Sequence, residues 1–333
     1  MTYVKPPELA VSMIEAGAAK IVVSTRDTLI RAFMASALLT LSAAFAVKVT
    51  VETGSPLVGA ILFPVGFVLL YLLGYDLLTG IFVLTPLALL ARRPGVTFGR
   101  VMRTWGLVFL GNLAGALTVA LLVTTYVTYG FSSPISDPGN QFAEFGAKLA
   151  AIGHDRTVGY QEHGLGGWIA VFVRGMLCNW MVSTGVIGAM IAKDVLGKIV
   201  VMWLPVMLFF AMGFEHSVVN MFLFPIGLML GAEFTVTDYV LWNELPVVLG
   251  NLVGGLLFTG LAIYLTHYRP APKRVIAEPA AADSGPDADS GPATGDIELP
   301  AAPAAATTGS AVSGSAVPGA ATLTGETDAA RHT

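Results

Sequence analysis

The sequence predicts an all-α polytopic membrane protein that crosses the bilayer six times. Three observations carry this prediction: 55% of the 333 residues are hydrophobic, only 12% are charged, and the apolar residues form six blocks. Soluble domains carry about a quarter of their residues as charges. The composition therefore disfavours a water-soluble enzyme, and the net charge of −4 is too small to indicate a nucleic-acid partner. No enzymatic activity is expected.

Residues 1–29 precede the first apolar block. Charged residues interrupt every apolar run in this segment, so it lacks the continuous apolar stretch of a secretory signal. Pro6 and Pro7, followed by apolar residues at helical spacing, predict a short amphipathic helix at the membrane surface. A loosely ordered terminus is the alternative interpretation.

The six apolar blocks differ in length. Four of them fit one spanning helix each, because a helix needs about 20 apolar residues to cross a hydrocarbon core of ~30 Å. The second and fifth are too long for one straight span and too short for two. Each also carries a polar, glycine-bearing segment at its centre, so we expect both helices to be broken. The blocks lie at residues 30–51, 57–91, 104–128, 167–192, 198–231 and 245–267.

The basic residues predict the orientation. Lysine and arginine concentrate before the first block, between the second and third, between the fourth and fifth, and after the sixth. Because basic residues favour cytoplasmic loops, this pattern predicts both termini in the cytoplasm of a protein in the inner (cytoplasmic) membrane. The membrane domain is predicted at residues 30–268. Residues 269–333 are rich in Ala, Pro, Gly and acidic residues without apolar periodicity, and we expect a disordered cytoplasmic tail.

An internal repeat relates the two halves of the membrane domain. Gly-Tyr-Asp at residues 74–76 matches Gly-Phe-Glu at 213–215, and Leu-Gly-Asn-Leu-x-Gly occurs at both 110–115 and 249–254. Both pairs are separated by 139 residues. Three spans per repeat force opposite orientations, which predicts an inverted 3+3 repeat with its site near the bilayer midplane. The Leu-Gly-Asn-Leu-x-Gly segments are predicted to serve helix packing rather than ligand binding.

The two breaks contain the candidate site residues. A helix break frees backbone groups that must be satisfied, and half-helix N-termini favour a small anion. Asp76 and Glu215 are the acids in the breaks, and we expect each to cap the half-helix that follows it. Gly74, Gly213 and Asn220 are expected to support the broken geometry.

His216 is predicted to lie at the midplane, inside the second break. Imidazole exchanges protons near neutral pH, so this side chain is suited to protonate or hydrogen-bond a weak-acid anion. A purely structural histidine, satisfied by Glu215 or Asn220, is the alternative. Thr79 supplies a hydroxyl in the first break and is the expected counterpart across a pore.

Four segments around these residues carry a family resemblance. They read Gly-Tyr-Asp-Leu-Leu-Thr-Gly (74–80), Gly-Met-Leu-Cys-Asn-Trp-Met-Val (175–182), Pro-Val-Met-Leu-Phe (205–209) and Gly-Phe-Glu-His-Ser (213–217). They resemble motifs of the formate/nitrite transporter family, and the likeness spans about residues 6–268. The resemblance implies an aquaporin-like protomer and a homopentamer with one pore per protomer. It also implies passage of small monovalent anions such as formate, nitrite or hydrosulfide, together with a proton.

Site roles follow from the same resemblance. It places Thr79 on the break of the second helix, His216 at the centre of the pore, and Asn179 in the hydrogen-bond network around them. Apolar constrictions on either side of the histidine are implied at three phenylalanines: Phe63, Phe67 and Phe209.

The chain departs from the family pattern at three positions, and one of them is Leu78, where Phe is common in the family. Family members often carry a lysine in the vestibule before the fourth span, and here that place is assigned to His163, which predicts a more pH-dependent entry or another substrate. Arg174 is unusual within the fourth span. Three roles are open for Arg174: its side chain snorkels to the outer interface, it pairs at a subunit contact, or it takes over the role of the lysine.

Two other functions remain open at this stage. One is a non-transporting membrane scaffold or regulator that retains the fold, and the other is a channel for a neutral small solute. No metal site or cofactor is expected, because one midplane histidine and two carboxylates are too few for a typical ligand set.

Overall fold

The computed structural model describes residues 3–271, and this part of the chain is helical with no β-strand. The all-α prediction is therefore confirmed. The predicted disordered tail lies outside the described residues from residue 272 onward. The helices are α1 Pro6–Ile21, α2 Thr25–Thr53, α3 Pro56–Leu72, α4 Leu78–Leu90, α5 Phe98–Val127, α6 Ala143–Asp155, α7 Val158–Gln161, α8 Gly164–Ile191, α9 Val195–Ala211, α10 Ser217–Met229 and α11 Val236–Tyr268.

Four helices are long and apolar enough to cross a membrane: α2, α5, α8 and α11. Two pairs of shorter apolar helices, α3 with α4 and α9 with α10, lie where the second and fifth spans are predicted. This division agrees with the prediction that the second and fifth spans are broken. The protein is therefore a multi-pass membrane protein, whereas the side on which its termini lie stays a prediction.

Each break begins with a glycine in the left-handed region. Gly74 has a φ of 73° and Gly213 a φ of 64°. Side chains with a Cβ rarely adopt such a φ, which explains why glycine occupies both positions. Three non-helical residues follow each turn, at 75–77 and 214–216, before α4 and α10 begin. The two breaks therefore share one backbone pattern, 139 residues apart.

Asn112, in the first Leu-Gly-Asn-Leu-x-Gly segment, holds the first break. Its Oδ1 accepts a hydrogen bond from the backbone N–H of Leu78 at 2.9 Å, which caps the first residue of α4. Its Nδ2 donates to the carbonyl oxygens of Ala32 at 2.7 Å and Asp76 at 3.1 Å. The side chain thus ties the break to α2.

Asn251 makes the same set of bonds in the second half. Its Oδ1 accepts from the N–H of Ser217 at 3.0 Å. Its Nδ2 donates to the carbonyl oxygens of Gly175 at 2.8 Å and Glu215 at 2.9 Å. The duplicated contacts agree with the internal repeat, while the opposite membrane orientation of the two halves stays a prediction.

These contacts correct the prediction that Asp76 and Glu215 cap the half-helices. The carboxylate of Asp76 pairs with Lys20, and that of Glu215 contacts side chains rather than the backbone N–H groups of α10. An amide suits the capping position better, because it accepts from the free N–H of the half-helix and also donates to free carbonyls. A carboxylate can only accept.

Glycines allow the long helices to pack closely, as the repeated segments predict. A Cβ added at Gly254 would collide with the backbone carbonyl of Met176 on α8, and one at Gly250 with that of Phe172. In the other half, a Cβ at Gly115 would meet the backbone of Phe33 on α2. The segments therefore serve both packing and capping.

Gly254→Ala is expected to lower the melting temperature in detergent, because its methyl group meets backbone atoms and would push α8 and α11 apart. Overpacking of this kind costs about 1–3 kcal/mol. Gly106→Ala is the matched control on α5, since an added Cβ there meets nothing within 4 Å. Equal melting temperatures for the two variants would contradict the packing described here.

The N-terminal helix α1 packs on the protein itself. Its buried face includes Leu9, Met13 and Ile14, and it contacts an apolar cluster that contains residues of α4 such as Leu87. The predicted helix is therefore present, with its apolar face covered by protein. Its position at the membrane surface stays a prediction, as do the proposed domain boundaries.

Candidate functional site

Two cavities lie on either side of the paired breaks. The first, of about 250 Å³, is lined by α2, α6, α9 and α10, with Phe209 and His216 in its wall. The second, of about 80 Å³, is lined by residues of α1, α3, α4 and α8, with Phe67 and Thr79 in its wall. A small molecule that crossed the protein by this route would pass between these four side chains.

His216 and Thr79, one from the wall of each cavity, are in contact. His216 Nε2 lies 3.4 Å from Thr79 Oγ1, and the two residues are only 2% and 0% exposed. Each comes from a different break and each lines a different cavity. The structure thus places the two side chains in contact, and a pore between them stays a prediction.

A backbone hydrogen bond orients the ring of His216. Its Nδ1 accepts from the N–H of Val219 at 3.3 Å. A ring nitrogen that accepts a hydrogen bond carries no proton, so this bond assigns the neutral imidazole with its hydrogen on Nε2. Phe209 stacks on the same ring, with centroids 5.8 Å apart. The hydrogen on Nε2 therefore points to the junction, where Thr79 lies.

Asn179 connects the site to both halves of the protein. Its Nδ2 donates to the carbonyl of Asn251 at 2.6 Å and to that of Thr79 at 3.2 Å, and its Oδ1 accepts from Ser183 at 3.2 Å. The side chain is fully buried. It fixes the backbone of Thr79, which places the hydroxyl opposite His216.

The three phenylalanines have different surroundings. Phe67 and Phe209 line the second and first cavities, one on each side of the histidine. Phe63 lines neither cavity; it packs edge-to-face on Phe209, with ring centroids 5.6 Å apart, and stacks on Phe210 at 4.0 Å. Its place at a constriction stays a prediction, whereas its support of Phe209 is observed.

Glu215 directly precedes His216 and is completely buried. Its Oε2 accepts from Asn220 at 2.9 Å and lies 3.4 Å from the guanidinium of Arg156. Its Oε1 accepts from the Tyr160 hydroxyl at 3.0 Å. Burial and the nearby Glu215 raise the pKa of Tyr160 to about 12, so this hydroxyl keeps its proton and donates at neutral pH.

Arg174 reaches the same network. Its guanidinium donates to the Tyr160 hydroxyl, which in turn donates to Glu215. Arg174 does not line the first cavity, so the choice among its three predicted roles stays open. Buried carboxylates are stable only when paired and hydrogen-bonded, which these partners provide.

The charge of the first cavity differs from the sequence-based expectation. His163 is exposed at the start of α8 and is not among the residues that line the cavity. The cationic side chains that do line it are Lys148 and Arg156. The prediction that His163 replaces the vestibule lysine is therefore wrong. The missed signal is the spacing of Lys148, Ile152 and Arg156, which at four-residue intervals share one face of a helix.

The second cavity also contains a charged pair. Lys20 of α1 and Asp76 of the first break form an ion pair, and both line the cavity. Because the two charges compensate each other, the wall of the second cavity is closer to electrical neutrality than the wall of the first cavity. Within residues 3–271, no three His, Cys, Asp or Glu side chains come together as metal ligands.

The fold and the site define a class: a helical membrane transport protein in which two broken helices meet between two cavities. The chain matches the formate/nitrite transporter family model over residues 7–265. It belongs to the formate/nitrite transporter family.

Individual relatives agree with this assignment. The chain is 32% identical over 275 residues to an uncharacterized transporter, YrhG, of Bacillus subtilis, covering 81% of this chain and 96% of the relative. It is 35% identical over 215 residues to a probable formate transporter of Methanothermobacter thermautotrophicus, covering 64% and 76%. A solved structure described as a pentameric formate channel with formate bound matches with a TM-score of 0.59 at 23% identity, covering 72% of this chain and 96% of that one. At that identity the structure establishes the fold.

Proposed function

We propose that this protein is a channel or transporter for small monovalent weak-acid anions, with formate as the first candidate and nitrite and hydrosulfide as further ones. The observation that carries the proposal is the junction of two cavities at His216 and Thr79, where two polar side chains are flanked by Phe209 and Phe67. The formate transport named for the relatives supports formate as the first anion to test.

The first step is the attraction of the anion into the first cavity. Lys148 and Arg156 line this cavity, and Glu215 is the carboxylate that pairs with Arg156. The wall thus carries more positive than negative charge. Because a cleft with low-dielectric walls focuses such a field, it raises the local concentration of anions.

The second step takes place at the junction. The neutral His216 presents its Nε2–H, and the hydroxyl of Thr79 provides a second donor 3.4 Å away. Two donors suit the oxygens of a carboxylate or nitrite. The bond from Val219 to Nδ1 favours hydrogen bonding by a neutral imidazole over protonation of the ring, since a second ring proton would have to break that bond.

The third step is passage through the apolar slit. Phe67 and Phe209 offer no polar group to replace a hydration shell, and hydrophobic constrictions of this kind oppose a hydrated ion. A weak acid that carries its proton is neutral and passes more easily. We therefore propose that the anion takes up a proton from the water of the first cavity, crosses as the neutral acid, and releases the proton to water on the other side, without storage on His216.

The assembly belongs to the same proposal. The matched structure is described as pentameric, and this chain is proposed to form a homopentamer in the inner membrane with one pore per protomer and both termini in the cytoplasm. A cross-linking ladder that ends at five bands in detergent is the expected result. A ladder that ends at two or three bands would contradict the pentamer.

Stopped-flow uptake into proteoliposomes tests the function. Formate, nitrite and hydrosulfide are offered separately across about pH 5 to 8, with sulfate and glycerol as controls. Uptake of at least one monovalent weak acid, faster at the acidic end, is expected. Glycerol uptake without anion uptake would favour the neutral-solute channel. No uptake of any solute would favour the non-transporting scaffold or regulator.

A further inference from the structure

Glu244 is a buried carboxyl group that the transport route described above does not use. It lies near the start of α11, at the end of a segment, Val240–Glu244, in which the helix widens into a π-turn. The residue is only 7% exposed. Such widened turns are rare in proteins, but those that exist often lie at functional sites.

Only one oxygen of Glu244 has a partner. Its Oε2 accepts from the Tyr239 hydroxyl at 2.8 Å, whereas Oε1 is buried without a hydrogen-bond partner. None of the ion pairs formed among residues 3–271 includes Glu244. A carboxylate left in this state within a membrane protein would be costly, because a buried charge is tolerated only when it is paired.

The charged groups around Glu244 are engaged elsewhere. This part of α11 packs against α7, α8 and α10, and α10 contains no charged residue. The titratable or charged residues on these elements, in the second break, just before α7 and in the first turns of α11 are Arg156, Tyr160, Arg174, Cys178, Glu215, His216, Asp238 and Tyr239. Arg156 pairs with Glu215, and Arg174 donates to Tyr160. Asp238 is bonded to Thr235 at the start of the helix.

One residue separates Glu244 from the wall of the first cavity. Asn243 donates from Nδ2 to the carbonyl of Arg156 at 3.0 Å and contacts Glu215 Oε2 at 3.4 Å. Its Oδ1 accepts from Asn220 at 2.7 Å. A change of charge at Glu244 therefore occurs directly beside the network that holds Arg156 and Glu215.

We infer that Glu244 is a proton-binding site: its carboxyl group is protonated in the conducting protein and releases the proton as the external pH rises. Protonated, it is a neutral acid that still accepts from Tyr239, and one unpaired hydroxyl is far less costly to bury than a bare carboxylate. Ionised, it adds a negative charge beside Glu215. The positive potential in the first cavity then falls, and anion entry slows.

The proton is detected directly by infrared spectroscopy of the protein in lipid. The wild-type protein is expected to show the C=O band of a protonated carboxylic acid at neutral pH, and the band should disappear at high pH. Glu244→Gln should lack this band at neutral pH, where exposed carboxyl groups are ionised. Glu162→Gln, which removes an exposed acid on the same side, is the matched control and should keep it. A band unchanged in Glu244→Gln would overturn the assignment.

Tyr239→Phe provides a second probe if Glu244→Gln does not fold. Loss of the hydroxyl removes the hydrogen bond to Oε2, so the C=O band should move to higher frequency while it remains present. A band at an unchanged frequency would show that the protonated group is not Glu244, which would overturn the inference.

The effect on transport rests on the proposed function and is measured separately. At about pH 8, Glu244→Gln is expected to take up formate about threefold faster than the wild type, because its side chain stays neutral, and the two should converge at about pH 5. Coinciding pH profiles would overturn the regulatory part. If no variant takes up any anion, the proposed function fails, and the infrared band still decides the proton site.

Discussion

Replacing His216 with leucine is expected to reduce formate and nitrite uptake by about 100-fold. The leucine removes the Nε2–H that faces the junction, and a hydrogen bond to a charged group in a buried site is worth about 3 kcal/mol. Leucine is similar in size to the imidazole, so the cavities should keep their form. Stopped-flow uptake into proteoliposomes, normalised to the amount of incorporated protein, gives the ratio.

His216→Asn separates hydrogen bonding from proton exchange. An asparagine amide donates a hydrogen bond but does not take up a proton near neutral pH, so it should keep about a tenth of the wild-type flux if His216 acts as a neutral donor. His163→Leu is the matched control, because that histidine is exposed and lines neither cavity. If asparagine were as inactive as leucine, the ring would have to exchange protons, contrary to the assignment based on Val219.

Replacing Asn251 with leucine is expected to lower the free energy of unfolding by at least about 3 kcal/mol. The substitution leaves the N–H of Ser217 and the carbonyls of Gly175 and Glu215 buried without their partner. Each unsatisfied buried group costs about 1–3 kcal/mol. The melting temperature in detergent and the fraction of monodisperse protein measure the effect.

Two comparisons make this test specific. Asn112→Leu should destabilise the protein to a similar degree, since that asparagine makes the corresponding three bonds in the other half. Leu249→Ala changes a 40% exposed residue two positions before Asn251 and should have a much smaller effect. A Leu249→Ala variant as unstable as Asn251→Leu would contradict the capping role.

The sequence predicts the breaks well because their signals are local. Gly74 and Gly213 have positive φ angles, so glycine itself marks the turn. The repeat then pairs the two segments and brings Thr79 and His216 to comparable positions. The structure adds the distance between these two side chains and the tautomer of the ring.

The errors in the sequence-based account concern contacts between distant residues. Asp76 was expected to cap α4, since acids commonly cap helices, yet the cap is Asn112, which lies 34 residues beyond Leu78. The same separation joins Ser217 and Asn251. Capping by a residue on another helix leaves no local signal. The repeated segments suggested packing, which is correct, but not this second role.

The vestibule was misassigned for a related reason. No motif fixes the alignment of the segment between α5 and α8, so His163 was placed by its distance from the fourth span. The packing of α6 brings Lys148 and Arg156 to the cavity instead. Glu244 was not singled out at all, because it lies one residue before the last apolar block and has no repeated counterpart.

The central claim is that the two cavities are the ends of one route through the protein. It is tested most directly by introducing single cysteines into each cavity and modifying them from either side of the membrane. Cys178 is the only cysteine in the sequence and is buried, so the wild type should not react with a membrane-impermeant thiol reagent. Thr50→Cys labels the first cavity and Tyr71→Cys the second. Glu162→Cys is the exposed control.

Formate uptake is then measured before and after modification. The account predicts that reagent on the side of the first cavity blocks Thr50→Cys, that reagent on the opposite side blocks Tyr71→Cys, and that Glu162→Cys is labelled without loss of flux. Full formate uptake through the protein after Thr50→Cys and Tyr71→Cys have both been modified would show that the anion does not pass through these cavities.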